Sequence, residues 1–150
     1  MEAKQLIERY RLQPHPEGGW YREVHRSASQ VVREDGQRRA GLTVILFLLE
    51  GDMASRWHRV SGADETWHFA GGDPLELLRL PPDGGLHRAQ LGPQEALLVV
   101  PAGWWQAARC LGAWSLVTCC VGPGFDFADF SLMRDLPSEQ RPAGVLESLL

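Results

Sequence analysis

Between Trp20 and Val121 the chain is cut into short apolar runs by turn-forming clusters, and this punctuation does more than any single residue to limit what the chain can fold into. The runs are Trp20–Arg26, Leu42–Leu49, Arg56–Val60, Thr66–Phe69, Leu75–Leu80, Leu86–Leu91, Leu97–Val100, Trp105–Arg109 and Ala113–Val121. Between them stand Glu34-Asp35-Gly36, Glu50-Gly51-Asp52, Ser61-Gly62-Ala63, Gly71-Gly72-Asp73-Pro74, Pro81-Pro82-Asp83-Gly84-Gly85 and Gly92-Pro93. Glycine and proline end elements because one tolerates positive φ and the other lacks a backbone donor. Many short strands at roughly ten-residue spacing predict an all-β sandwich or barrel.

Ahead of the strands, Glu2–Arg11 puts Leu6, Ile7 and Tyr10 on one face and predicts a short helix. It ends before Pro14-His15-Pro16-Glu17-Gly18-Gly19, a stiff loop read as handing the chain from helix to first strand. The alternative is that this loop caps the barrel mouth and presents Glu17 or His15. A second short helix is expected in the C-terminal tail.

At 150 residues and 44% hydrophobic content, a single domain over 1–150 with one core is expected. Fifteen Lys and Arg against nineteen Asp and Glu leave a net charge of −4, which argues against a nucleic-acid partner. The longest aliphatic–aromatic run, Val44–Leu49, is too short for a membrane span. Met1-Glu2-Ala3-Lys4-Gln5 lacks the layout of a signal peptide, so a cytoplasmic location away from membranes is the expectation. Cys110, Cys119 and Cys120 show no C-x-x-C spacing and are read as free, buried thiols.

The polar residues with chemical potential cluster in Ser55–Val60 and Asp64–Phe69, read as a hairpin about Ser61-Gly62-Ala63. Alternation puts His58 with Val60, and Glu65 with Trp67 and Phe69, leaving His68 on the opposite face. If the apolar members face inward, an imidazole and a carboxylate lie on neighbouring strands inside an apolar shell. That pair is either a satisfied buried contact or a general acid–base couple. Trp57, Trp67 and Trp104 lie close to it in sequence; such rings line small-molecule cavities and equally fill wide barrels. Pro101-Ala102-Gly103 forms a tight turn after which Gln106 points the same way as Trp104.

Taken together these segments resemble the cupin superfamily. Its first motif runs from a glycine through His-x-His to a glutamate and a closing glycine, here Gly51, His58, Val60, Glu65 and Gly72. Its second is Pro-x-Gly-x-x-His, here Pro101, Gly103 and Gln106. With Pro14–Glu23 and Pro123-Gly124-Phe125-Asp126-Phe127 added in order, the chain is similar to the DUF985 branch from Leu6 to about Leu132. The resemblance implies a double-stranded β-helix, or jelly roll, usually paired as a homodimer.

It also implies a site. Metal-binding cupins supply three histidines and a glutamate; here Val60 and Gln106 stand where the second and third histidines would be. No cofactor is expected, and at most a divalent ion held loosely by His58, Glu65 and Gln106. The other precedent is metal-free carbohydrate epimerases of jelly-roll type, in which a barrel histidine acts as base. By that analogy His58 is the catalytic base and Glu65 orients it. Trp67, Phe69, Trp104, Gln106, Arg22 and Arg56 then bind a sugar-like or other small polar molecule. A non-catalytic small-ligand binder remains the alternative. For the homodimer, the expected contact is the edge Trp20-Tyr21-Arg22-Glu23-Val24, carried away from its own barrel by the stiff loop.

Overall fold

The structure, a computed structural model, describes residues 1–150. Glu2 opens the one α-helix, α1 (Ala3–Tyr10), where its backbone N–H donates to the Gln5 side chain at 2.8 Å. Arg11 closes it in the left-handed region at φ 53°. Leu6 of this helix and Leu12 beyond it pack on Leu48 and Leu116, so the helix covers the outer face of a sheet.

Thirteen strands follow: β1 (Gln13–Pro14), β2 (Trp20–Arg26), β3 (Gln30–Val32), β4 (Arg38–Ala40), β5 (Thr43–Glu50), β6 (Ala54–Val60), β7 (Asp64–Gly72), β8 (Leu75–Leu80), β9 (His87–Leu91), β10 (Leu97–Val100), β11 (Trp105–Cys110), β12 (Trp114–Gly122) and β13 (Phe130–Leu132). They form a six-stranded sheet ordered β1-β2-β5-β12-β7-β10 and a five-stranded sheet ordered β13-β6-β11-β8-β9, with β3-β4 as a separate ribbon. The ladders are antiparallel. This is the sandwich expected from the spacing of the turns, in the jelly-roll form that the resemblance implies.

The core is the set of inward residues that alternation selects from both sheets: Phe47, Leu49, Trp67 and Val117 from one, Leu75, Leu77, Leu91 and Ala108 from the other. The outer face of the five-stranded sheet is covered as well, because Trp57, Leu78 and Trp105 pack beneath Met133 and Leu149 of the tail. The tail does this without an α-helix; it holds single 3-10 turns at Phe127–Asp129, Met133–Asp135, Ser138–Gln140 and Glu147–Leu149. No helix is long and apolar enough to cross a membrane. Cys110, Cys119 and Cys120 are unpaired.

Two expectations are corrected. The segments around Ser61-Gly62-Ala63 do not form a hairpin, because β6 and β7 belong to opposite sheets. The three-residue turn carries the chain across the sandwich, as a jelly roll requires of consecutive strands. The edge Trp20–Val24 is not carried away from its barrel either: β2 is bonded along β5 in its own sheet, and Gln13–Pro14 pairs with Trp20 and Tyr21 on its other side.

Candidate functional site

One end of the sandwich stays open between the sheets as a cavity of about 470 Å³. Its wall includes His15, Glu17, Tyr21, His58, Val60, Glu65, Cys119, Phe125, Phe127 and Phe130, with Glu23, Arg26 and Asp126 among the other lining residues. The size suits a small molecule rather than a chain segment.

His58 enters from β6. A slip in register between Ser55–Ala108 and His58–Gln106 marks a bulge, so that Ser55, Trp57 and His58 are all buried while Arg56 is left exposed. Both nitrogens of the His58 ring face acceptors: Nδ1 donates to the Arg56 carbonyl at 2.7 Å, and Nε2 lies 2.8 Å from Glu17 Oε2. An acceptor at each nitrogen is satisfied only by an imidazolium. Burial works against that charge, but the Glu17 carboxylate outweighs it and holds the His58 pKa above its ordinary value.

Glu17 reaches His58 from the stiff loop. His15 N–H donates to the Gly19 carbonyl (2.9 Å), Gly18 N–H to the His15 carbonyl (3.0 Å), and Arg56 N–H to the Glu17 carbonyl (2.7 Å), which pins the loop against β6. Gly18 and Gly19 have φ of 106° and 78°, and a Cβ on Gly18 would collide with the Ala54 carbonyl. The two glycines therefore let the loop lie flat enough to deliver a carboxylate into the sandwich. Burial favours the protonated form of Glu17, yet the charge of His58 and the hydrogen bond from it leave its pKa lowered. His15 accepts the Glu17 N–H at Nδ1 (3.2 Å); burial pushes its pKa down, so it is the neutral member of the group.

Glu65 faces this pair from β7 in the opposite sheet. Burial pushes its carboxyl up to about 7, with the His58 charge opposing and the Glu17 charge adding to the shift. One of its oxygens accepts from Gln106 Nε2 at 3.3 Å. Cys119 lines the same space, and its thiol is raised well above the ordinary value by burial and then by Glu65, so it stays protonated. Around the mouth the rings are packed edge to face: His15 on Tyr21 at 4.5 Å, Phe125 on Phe127 at 4.9 Å and Phe127 on Phe130 at 5.9 Å. Phe130 also stacks on His58 at 5.6 Å.

Of the residues singled out from sequence, His58 and Glu65 thus share the cavity, and His68 faces away, bonded to Thr66 at 2.9 Å. The orienting carboxylate on His58, however, is Glu17 and not Glu65. The six expected substrate-binding residues lie outside the cavity wall. Trp67 has the inward face of Glu65 but sits deeper, donating from Nε1 to Gln106 Oε1 at 2.8 Å. Gln106 is a fully buried link between Trp67 and Glu65. Phe69 packs on the core, and Trp104 tilts against His87 with centroids 5.3 Å apart. Arg22 bonds the Tyr10 carbonyl at 3.3 Å, and Arg56 serves the site through its backbone only. Tyr21, Phe125, Phe127 and Phe130 form the aromatic wall in their place.

The donor set does not fit the metal centre that the resemblance brings to mind. Val60 has no ligand atom, Gln106 Oε1 is taken by Trp67, and His58 Nε2 is taken by Glu17. No group of three or more His, Cys, Asp or Glu side chains is arranged to hold a metal ion.

The chain as a whole is similar to known proteins. The family described as Cupin superfamily (DUF985) matches residues 4–133. A hypothetical protein from Leishmania major is 35% identical, with a TM-score of 0.82 over 87% of this chain and 86% of that one. A protein from Shewanella oneidensis is 36% identical, with a TM-score of 0.79 over 88% and 84% of the two chains. The capsular polysaccharide assembling protein CapF from Staphylococcus aureus shares the fold at 11% identity, with a TM-score of 0.63 over 81% of this chain and 33% of that one. No curated protein matches at a significant level.

Proposed function

The chain belongs to the DUF985 branch of the cupin superfamily, and from that footing we propose that its cavity binds a small polar molecule and moves a proton on it, as a metal-independent isomerase or epimerase does. The observation that carries this reading is a carboxyl held near neutrality, Glu65, facing a buried imidazolium–carboxylate pair, His58–Glu17, across one aromatic-walled cavity. A group with a pKa of about 7 releases and takes back a proton with comparable ease at neutral pH. The His58 imidazolium, its two N–H groups held by the Arg56 carbonyl and by Glu17, faces Glu65 and favours the ionised form that accepts a proton. The roles differ from those expected from sequence: Glu65 carries the proton, His58 biases the charge state of Glu65, and Glu17 holds His58. The macromolecular partner in this proposal is a second copy of the chain, in a homodimer.

Incubation in deuterium oxide with a panel of aldoses, ketoses and amino sugars tests the chemistry, with NMR following proton loss at the carbon beside the carbonyl. Exchange on at least one compound is expected, abolished by Glu65→Gln and reduced by His58→Gln. Binding without exchange in the wild type would make the chain a non-catalytic binder. Exchange that survives Glu65→Gln would remove Glu65 from its role.

A further inference from the structure

The charges around the cavity are unequal. Four carboxylates line it, Glu17, Glu23, Glu65 and Asp126, against Arg26, the His58 imidazolium and a neutral His15. Both cations are already engaged. His58 holds Glu17, while Arg26 holds Glu23 at 2.6 Å and donates to the Phe125 carbonyl at 3.0 Å. No free cation remains to receive a phosphate, sulfate or carboxylate.

The group left unengaged is acidic. Glu65 is 7% exposed, its one protein hydrogen bond is the 3.3 Å contact from Gln106, and its other oxygen has no protein partner. Tyr21, Phe125, Phe127 and Phe130 complete the wall, and aromatic faces carry partial negative charge. An anion entering here would meet Glu65 and negative ring faces at low dielectric, with both cations already paired to carboxylates. A cation would meet partners on both sides.

We propose that the ligand of this cavity is a small organic cation, with its amine or quaternary ammonium group received by Glu65 and its body lying against Phe125, Phe127 and Phe130. The proposal rests on the reading of the cavity as a ligand site and adds the class of molecule it takes. It sets the site apart from one built for a nucleoside-diphosphate sugar, which would need free cations at the mouth.

Three probes of nearly equal shape test it on the unmodified protein: tetramethylammonium, neutral tert-butanol and anionic pivalate. Amide nitrogen–proton correlation spectra report which of them shifts Cys119, Phe125, Phe127 and Phe130. Tetramethylammonium is expected to bind about ten-fold or more tightly than tert-butanol, and pivalate to leave those amides unmoved. Glu65→Gln should erase the preference for the cation while tert-butanol still binds. If tert-butanol or pivalate occupies the cavity as tightly as tetramethylammonium, the cation class is overturned and the ligand cavity stands. If none of the three shifts the cavity amides, both fall.

Discussion

His58 shows how a buried ion pair ties stability to pH. The Glu17 pKa is lowered, so its contribution is present above the ordinary glutamate range and is lost as pH falls through its folded value. The His58 pKa is raised, so its contribution is present below the ordinary histidine range and is lost as pH rises through its folded value. Between those limits Glu17→Ala is expected to cost about 3–5 kcal/mol, because it strands a buried charge. Replacing both partners together, Glu17→Met with His58→Phe, should cost less than the two single changes added. Urea denaturation of the four proteins measures the cycle, and additive losses would deny the pairing. Glu65 has the sign opposite to that of Glu17. Its carboxyl is raised to about 7, so ionising it works against the fold as pH climbs. Glu65→Gln should therefore match the wild type near pH 4 and gain on it by up to about 3 kcal/mol by pH 8. A gap that stays flat with pH would mean that Glu65 titrates normally. His58 and Glu65 were legible in the sequence because strand alternation fixes which side chains face inward. Glu17 was legible only as the alternative role of its loop, because a loop has no period and its place depends on hydrogen bonds to a strand almost forty residues away, at Arg56.

At the scale of elements, the helix and the principal strands could be read because apolar periodicity and Gly/Pro turns mark them directly. The strands that escaped, β1, β3, β4 and β13, are two or three residues long, and none contains a buried residue. The reading of β6 and β7 as a hairpin failed for a topological reason. A three-residue turn can close a ladder or step between sheets, and local sequence does not distinguish the two. The depth of a side chain along the sandwich was equally hidden, which is why Trp67 and Gln106 are core residues rather than wall residues. Asp129 fastens another part of the mouth. Arg33 and Arg39 both grip its carboxylate, at 2.9 Å each, and tie the β3-β4 ribbon to the turn that follows Phe127. On the other side of the mouth the deciding element is the Gly18-Gly19 loop. Gly18→Ala should lower stability by about 2–3 kcal/mol through strain at positive φ and the collision with Ala54. The same change should shift the His58 ring resonances as Glu17 withdraws. Denaturation together with histidine-selective NMR checks both, and an unperturbed ring would mean that the loop does not position Glu17.

For the whole molecule, composition and turn spacing led to one β-sandwich or barrel, and the resemblance to the DUF985 motifs led to the jelly roll. The use of the interior could not be read in the same way, because it depends on a carboxylate contributed from outside the two cupin motifs. The proposed homodimer follows from an uncovered edge. Beyond Tyr21 the outer side of β2 has no partner strand, and Val24 is 48% exposed there. Light scattering over a dilution series should give twice the 16.7 kDa of one chain, and a mass of 16.7 kDa at every micromolar concentration would contradict it. The central claim is narrower, that the two sheets enclose a proton-handling site centred on Glu65. Its most direct measurement is an NMR titration of the Glu65 side-chain carboxyl carbon in the wild-type protein, assigned by the loss of its signal in Glu65→Gln. The structure predicts a midpoint of about 7; a midpoint in the ordinary glutamate range, at about 4 to 5, would contradict it.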